Sequence, residues 1–210
     1  AFEGIVFFEA EEPGQVVVSA GHSFNHHIWF NGQGGEWSLT DDFITNQTIY
    51  FQHGAIKTLG NMVNCRIFSS TDTTTRSLNL STSLVKLYGS MTDVWLLNGQ
   101  NLTFYGDSSL LQSWSFSGHI NTFNAQTNRP VYHNIEFYGA SSTLKNFTAN
   151  CIYNTVKFYS DFGSVVGDCK LDSITFFMAS CALYDSDTIG TAIFHGPNAW
   201  INGGHHVIDI

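Results

Sequence analysis

The stretch VYHNIEFYG, residues 131–139, has three later counterparts in the chain: CIYNTVKFYS at 151–160, LDSITFFMAS at 171–180 and GTAIFHG at 190–196. In each counterpart a β-branched or small apolar residue is followed, two positions later, by phenylalanine. The pairs are Ile135 and Phe137, Val156 and Phe158, Ile174 and Phe176, and Ala192 and Phe194, separated by 21, 18 and 18 residues. Repetition at a near-constant spacing is the sequence signature of a repeat architecture.

This spacing predicts an all-β fold, a right-handed parallel β-helix or β-solenoid with coils of about 17–21 residues. Each coil of such a fold supplies two or three short strands, which pair with the coils about 4.8 Å above and below. The alternative is a β-sandwich or jelly roll, whose strands recur every ~8–12 residues. A sandwich does not place equivalent residues at four successive, evenly spaced positions. We therefore predict that residues 1–210 form a single β-solenoid array.

Alternation along a strand predicts which side chains face the core. In each Ile-x-Phe pair both apolar residues share the inward face. The intervening residues point outward, namely Glu136, Lys157, Thr175 and Ile193. The same theme occurs upstream at 28–30 and 49–51, and two further segments, 85–87 and 102–104, lie 17 residues apart as if in adjacent coils. Residues 106–130 lack the pattern and are predicted to be an irregular coil or an insertion.

Composition limits the classes of partner. The formal net charge is −9 and only 12% of residues are charged. An acidic surface repels phosphate backbones, so we predict no nucleic-acid partner. The sequence contains no apolar run near the ~18 residues of a membrane helix, so no membrane-spanning segment is predicted. The chain starts without Met or a basic leader, and we expect a piece of a larger surface protein, with flanking domains or a capping partner at its ends.

Residues 23–89 carry a family resemblance. The pattern Asn-Gly-x-Gly-Gly-x-Trp-x-Leu-x-Asp-Asp, followed by Asn-Gly-x-Leu-x-Thr-x-Gly and by Thr-Arg-x-Leu-x-Leu, is found in large surface-exposed repeat proteins of Bacteroidetes. The matching positions are Asn31, Gly32, Gly34, Gly35, Trp37, Leu39, Asp41 and Asp42, then His53, Gly54, Ile56, Thr58 and Gly60, then Arg76, Leu78 and Leu80. His53 departs from the usual Asn. The match covers about a third of the chain.

The resemblance implies a location and a general role. Such proteins are exported by the type IX secretion system and act as surface adhesins or stalks. The expectation is therefore a secreted, cell-surface protein whose segment here is non-enzymatic and forms or displays an adhesive surface.

One outward column suggests a specific binding site. The residue after each inward phenylalanine is aromatic, and by alternation these residues point outward and stack: Tyr138, Tyr159, Phe177 and His195. Sugar rings pack against exposed aromatic side chains, and an exposed apolar patch often marks a binding site. This predicts an alternative function, a carbohydrate-binding module that contacts surface glycans. The competing interpretation is that stacked aromatics stabilise the solenoid or lie under a neighbouring domain.

The sequence offers little for catalysis. Asp41 and Asp42 are adjacent, so on a strand they would face opposite ways and could not act together as acid and base. We predict that they lie at a turn and accept backbone hydrogen bonds. A polysaccharide-active β-helix enzyme remains the second alternative, but the clear coils contain no cluster of acidic and basic residues. We predict no enzymatic activity.

Histidines invite a metal hypothesis, because His22, His26 and His27 cluster, as do His205 and His206. Zinc requires three or four converging ligands, whereas neighbouring histidines on a strand diverge. No cysteine or carboxylate stands at a matching spacing. We therefore predict no metal site and no cofactor.

Two of the four cysteines, Cys151 and Cys169, each lie five residues before the apolar residue of their repeat. They are predicted to occupy the same place in successive coils, within reach of a disulfide. Buried free thiols are the favoured interpretation, because free cysteine behaves as a small buried hydrophobe. A disulfide between them is the alternative. Cys65 and Cys181 have no such relation.

Overall fold

The computed structural model describes residues 4–90, 93–125, 129–147, 150–185, 187–204 and 206–209. All regular elements in these residues are strands. In chain order they are β1 (Val6–Phe8), β2 (Gln15–Val17), β3 (Ser23–Phe24), β4 (Ile28–Phe30), β5 (Glu36–Leu39), β6 (Phe43–Thr45), β7 (Thr48–Phe51), β8 (Gly54–Lys57), β9 (Val63–Cys65), β10 (Ile67–Ser70), β11 (Arg76–Asn79), β12 (Leu84–Leu87), β13 (Asp93–Asn98), β14 (Leu102–Tyr105), β15 (Leu110–Ser113), β16 (His119–Phe123), β17 (Val131–Phe137), β18 (Thr143–Phe147), β19 (Ile152–Phe158), β20 (Gly163–Val166), β21 (Lys170–Phe176), β22 (Ser180–Tyr184), β23 (Thr188–Phe194), β24 (Asn198–Asn202) and β25 (His206–Asp209).

The strands form three parallel sheets that wind as a β-solenoid of about 9 turns. Sheet 1 has ten strands in the order β1-β4-β7-β10-β13-β16-β18-β20-β22-β24. Sheet 2 has five, β2-β5-β8-β11-β14, and sheet 3 has ten, β3-β6-β9-β12-β15-β17-β19-β21-β23-β25. Each strand pairs with the equivalent strand one coil away, which confirms the predicted solenoid and excludes the β-sandwich.

The predicted core columns are confirmed in sheet 3. Ile135 pairs with Val156, Val156 with Ile174, and Ile174 with Ala192, and the phenylalanines two positions later pair in the same order. Phe137, Phe158 and Phe176 are buried, and their rings stack with centroids 4.5 and 4.9 Å apart. Glu136, Lys157 and Thr175, which lie between the buried residues, are half-buried, and Ile193 is exposed, as alternation requires.

The upstream repeats are only partly in the predicted positions. Ile28 pairs with Ile49 as expected, but both lie in sheet 1 and not in the sheet of Ile135. The predicted equivalence of 85–87 and 102–104 is wrong: Val85 pairs with Leu111 in sheet 3, whereas Leu102 belongs to sheet 2. The two strands lie on different faces of neighbouring coils, so their 17-residue spacing is a coincidence. They looked equivalent because both carry the same alternating apolar pattern.

Coil length varies along the solenoid. Partners in adjacent coils are 18 residues apart at Val156 and Ile174, but 27 apart at Phe68 and Trp95. Residues 106–130 lie in the long coils and contribute β15 and β16, each paired on both sides. Residues 126–128 of this segment are outside the described residues.

The cross-section also changes along the chain. The first coils have three sides, and sheet 2 ends at β14. Beyond it, the ring of Tyr132 in β17 packs on Phe104 of β14 with centroids 4.7 Å apart. The pairing of β17 with β19 skips His133 and the opposite Asn154. Tyr132 and Ile135 are both buried although they are three residues apart, so the inward alternation changes phase and the strand bends at this point. The first residues of β17 therefore occupy, in this coil, the side of the solenoid that sheet 2 forms in the earlier coils.

The glycines of the Asn-Gly-x-Gly-Gly pattern lie where the chain turns from sheet 1 to sheet 2. A side chain at Gly32 or Gly35 would collide with the carbonyl oxygen of Ala10 in the preceding coil. Gly54, in the next coil, has φ +80° and would collide with the carbonyl oxygen of Gly35. These glycines let three successive corners stack at backbone contact, which is a structural role.

Candidate functional site

The four aromatic residues predicted to stack do so, on the outside of sheet 3. Each follows the last residue of a long strand, one position after an inward phenylalanine. The ring centroids of Tyr138 and Tyr159 are 4.8 Å apart, those of Tyr159 and Phe177 are 4.8 Å apart, and those of Phe177 and His195 are 5.1 Å apart. The interplanar angles are 9°, 2° and 7°, so the rings are nearly parallel.

The stack extends two coils further than the sequence predicted. Trp114 stacks on Tyr138 at 4.1 Å and 9°, and Tyr88 stacks on Trp114 at 6.3 Å and 19°. We call these six side chains the aromatic ladder: Tyr88, Trp114, Tyr138, Tyr159, Phe177 and His195. Trp114 and Tyr88 were missed because their coils are longer than the repeat. The available signal was an aromatic residue directly after the apolar strands 84–87 and 110–113.

Ring orientation limits what the ladder can bind. Each inner ring has a neighbouring ring on both faces, so its edge is what reaches the surface. Tyr88, Trp114 and Phe177 are exposed, while Tyr138 and Tyr159 are half-buried. Sugar rings stack on aromatic faces, and in this ladder only the end rings, Tyr88 and His195, leave a face without a ladder neighbour.

A carboxylate lies beside the centre of the ladder. The hydroxyl of Tyr138 donates to Glu136 Oε2 at 2.8 Å, and the hydroxyl of Tyr159 lies 3.4 Å from Oε1. Gln112 Nε2 also donates to Oε2, at 2.9 Å. Desolvation and the neighbouring Glu136 raise the pKa of Tyr138 to about 12, and the same causes raise the pKa of Tyr159. Both phenols are therefore neutral donors at physiological pH.

The aspartate pair is structural, as predicted. The carboxylate of Asp41 accepts hydrogen bonds from the backbone N–H of Ser19 at 2.8 Å and from its hydroxyl at 2.9 Å. Asp42 accepts from the N–H of Met62 at 2.9 Å, in the coil on the opposite side. The Ser19 backbone hydrogen bond contributes most to lowering the pKa of Asp41. The pair thus joins three successive coils at one turn.

Arg76, from the Thr-Arg-x-Leu-x-Leu pattern, is a buried cation with only 1% of its surface exposed. Nη2 donates to the carbonyl oxygens of Asn98 and Gln100, both at 2.9 Å. Nη1 donates to the carbonyl oxygen of Ser70 at 3.0 Å and also to its hydroxyl, and Nε donates to the carbonyl oxygen of Thr74 at 3.1 Å. Burial lowers the pKa of Arg76 from its usual value. The guanidinium therefore holds the backbone of two adjacent coils together.

The cysteines, all four within the described residues, are free and buried. Cys151 and Cys169 do occupy equivalent places, since the residues that follow them, Ile152 and Lys170, are register partners. The thiol of Cys169 donates to Asp187 Oδ1 at 3.0 Å. Burial raises the pKa of Cys151 to about 12 and raises the pKa of Cys169 well above the usual thiol value. Thiolate chemistry is thereby suppressed at both positions.

Potential metal ligands do not converge in the part of the chain that the structure describes: no three His, Cys, Asp or Glu side chains form a group that could hold an ion. His205 and the side chain of His206 lie outside the described residues. Among those same residues, no helix is long and apolar enough to span a membrane.

Comparison with known proteins adds no assignment, because no family model, curated protein or solved structure matches this chain.

Proposed function

We propose that this chain is a rigid, non-enzymatic structural segment of a secreted, surface-displayed protein, and that it forms or presents an adhesive surface. The observation that carries the proposal is the continuity of sheets 1 and 3, each ten strands long. Ten strands at about 4.8 Å per step span roughly 43 Å. A solenoid of this kind is held together by contacts between neighbouring coils, so it behaves as a stiff rod.

Cross-coil contacts at the corners support the same proposal. Arg76 and Asp41 each join adjacent coils by several hydrogen bonds, and the ladder adds a continuous stack on the outside. The resemblance to Bacteroidetes surface proteins of the type IX secretion system supports the cell-surface location. Its glycine and arginine positions have structural roles here, which is what a shared stalk architecture would require.

Single-molecule force spectroscopy tests the rod. We expect stepwise unfolding, with each step releasing one coil or a few, or roughly 60–90 Å of contour per coil at about 3.4 Å per residue. Loss of all structure in one low-force event would contradict the proposal. A panel of polysaccharides incubated with the chain tests the absence of catalysis, and release of oligosaccharides from any of them would establish the polysaccharide-active alternative.

A second candidate is a carbohydrate-binding module that uses Tyr138, Tyr159, Phe177 and His195. The apolar surface that the ladder leaves exposed at Trp114 and Phe177 favours it, together with the ring face of His195 that has no ladder neighbour. The double variant Tyr138→Ala/Tyr159→Ala tests it on a glycan array. Binding that the folded double variant loses would support the module, and unchanged binding would leave the ladder with a structural role.

A further inference from the structure

Three exposed aromatic side chains surround a depression at the C-terminal end of sheet 1. They are Phe162, just before β20, Tyr184 at the end of β22, and Trp200 in β24. The depression has a volume of about 440 Å³, within the usual ~300–1,000 Å³ range of small-molecule sites. We call it the aromatic trough.

Small residues form the floor of the trough. Ser164, Ala182 and Trp200 are register partners in three successive strands, and all face outward from sheet 1. Because Ser164 and Ala182 are small, the sheet surface beside Trp200 is low, and the large side chains rise around it. Ser180 adds a further hydroxyl to the lining.

Ring exposure in the trough contrasts with that in the aromatic ladder. Phe162 is 64% exposed and Trp200 is 71% exposed. The inner rings of the ladder have both faces covered by neighbouring rings, whereas side chains this exposed leave ring face open to a ligand. An apolar depression with several open aromatic walls is suited to a flat molecule with apolar faces.

The backbone at Phe162 makes a second argument. Its φ is +63°, in the left-handed region that bulky residues avoid. The equivalent residues of the two preceding coils, counted from the register of Thr143 with Ser164 and with His119, are Ser141 and Ser117, each with φ +57°. Serine meets the needs of this turn in those coils. Phenylalanine adds strain and exposes apolar surface, so its side chain is better explained by a ligand than by folding.

The uncharged lining of the trough favours a neutral ligand. None of the described residues that line the trough is charged. Asp161 and Asp185 lie next to Phe162 and Tyr184 in sequence, and each accepts one backbone N–H, from Ala179 at 3.2 Å and Gly167 at 2.8 Å. Exposed carboxylates next to two of the lining residues disfavour anions and can accept hydrogen bonds from hydroxyl groups.

We propose that the aromatic trough binds a neutral sugar, with the apolar face of a pyranose ring against Trp200 or Phe162 and its hydroxyls directed to the rim. This rests on the proposed adhesive role and names the ligand class and the site of that adhesion. The predicted ladder residues do not take part in this site.

Saturation-transfer NMR with neutral methyl glycosides of glucose, galactose and mannose, and with their disaccharides, tests the trough. The variants are Phe162→Ser, which installs the residue used in the two preceding coils, and Trp200→Ala. The matched control is Phe116→Ser, since Phe116 is similarly exposed but lies outside the trough. We expect binding by the unmodified chain, weakened at least about tenfold by either trough variant and unchanged by the control. Thermal unfolding should show that Phe162→Ser is as stable as the unmodified chain or more so.

Other outcomes overturn the proposal in distinguishable ways. Absence of sugar binding by the unmodified chain, or binding that both trough variants retain, rejects the trough. Binding lost only in Tyr138→Ala/Tyr159→Ala moves the site to the aromatic ladder. Binding of tetramethylammonium in place of sugars would make the trough a cation site. The proposed structural role is tested by force spectroscopy and not by binding. Stepwise unfolding without sugar binding would reject only the trough, and sugar binding by a chain that unfolds in one low-force event would reject only the rod.

Discussion

The hydroxyls of Tyr138 and Tyr159 turn toward the same carboxylate while their rings stack 4.8 Å apart. Glu136 points outward from β17, and Tyr138 directly follows that strand, so one side chain orients two rings from adjacent coils. The ladder is therefore held both by contact between ring faces and by hydrogen bonds at its centre. The hydroxyls of its two central tyrosines are thereby directed toward Glu136.

Removing the charge of Glu136 should lower the pKa of Tyr138. In Glu136→Gln we expect the pKa to fall below its present value of about 12, but to stay above the ordinary 10.0, because desolvation is the largest cause of the shift. Titration of phenolate absorbance measures this. Glu36→Gln is the control, since Glu36 pairs with Lys57 on sheet 2, and it should leave the titration unchanged.

The same shift predicts how stability depends on pH. The folded-state pKa of Tyr138 is raised, so the unfolded chain loses this proton first as the pH increases. This contribution to stability is complete below about pH 10 and is lost as the pH rises to about 12. Across this pH interval, the urea midpoint of Tyr138→Phe should decline less steeply with increasing pH than that of the unmodified chain. Equal slopes would show that the phenol is not perturbed.

Truncation within the ladder should destabilise the fold. Tyr159→Ala removes a ring that stacks on Tyr138 and on Phe177, and we expect a loss of about 1–2 kcal/mol in the free energy of unfolding. Tyr105→Ala is the control, because Tyr105 is exposed on sheet 2, and it should change stability by no more than about 0.5 kcal/mol. Urea denaturation followed by circular dichroism measures both. Equal effects would mean that stacking adds nothing.

Replacing the buried arginine should cost more. In Arg76→Met the buried carbonyl oxygens of Asn98 and Ser70 lose this donor and stay in the interior. At about 1–3 kcal/mol for each unsatisfied buried group, the total should reach at least about 2 kcal/mol. Arg66→Met is the control: the Arg66 guanidinium bonds to the hydroxyl of Ser90 at an exposed site, and we expect little change. A shift of the urea midpoint by Arg66→Met as large as that by Arg76→Met would contradict this account.

The cysteines should be unreactive in the native chain. Burial raises the pKa of all four thiols, so alkylation at neutral pH should proceed only as the fold opens. We expect mass spectrometry to find almost no alkylation of the native chain. After denaturation without reductant, four alkylated thiols are expected. Two in place of four would reveal a disulfide and make the free-thiol assignment for Cys151 and Cys169 wrong.

The predicted and unpredicted members of the ladder show where sequence patterns succeed. Tyr159 and Phe177 follow repeats that are 18 residues apart. Because the repeats align at this spacing, the sequence predicts that the two residues stack, even though the conformation of the intervening turns is not predicted. Trp114 stands 24 residues before Tyr138, in a coil with a longer turn. The length of that turn is set by how the chain returns to the next strand, which the alternating pattern does not encode.

The false equivalence of Val85 and Leu102 has the same origin. Both lie in four-residue strands in which buried apolar residues alternate with more exposed ones, so a strand of sheet 2 resembles a strand of sheet 3 in sequence. Which sheet a strand joins is decided by the corner before it, where positive-φ residues and glycine contacts turn the chain. The conformation of a corner depends on contacts with the coils above and below it. The local alternation of apolar residues therefore does not predict it.

The sequence by itself determined the all-β solenoid, the inward Ile-x-Phe columns and four stacked aromatic residues, because strand alternation and near-equal spacing translate directly into position. The tertiary structure decided the change from three-sided coils to bent long strands, the burial of Arg76 among carbonyl oxygens, and the gathering of Phe162, Tyr184 and Trp200 around one depression. Each of these depends on the register between coils of unequal length. That register is set by backbone hydrogen bonding and corner geometry across the whole stack, so it emerges only when the coils are packed together.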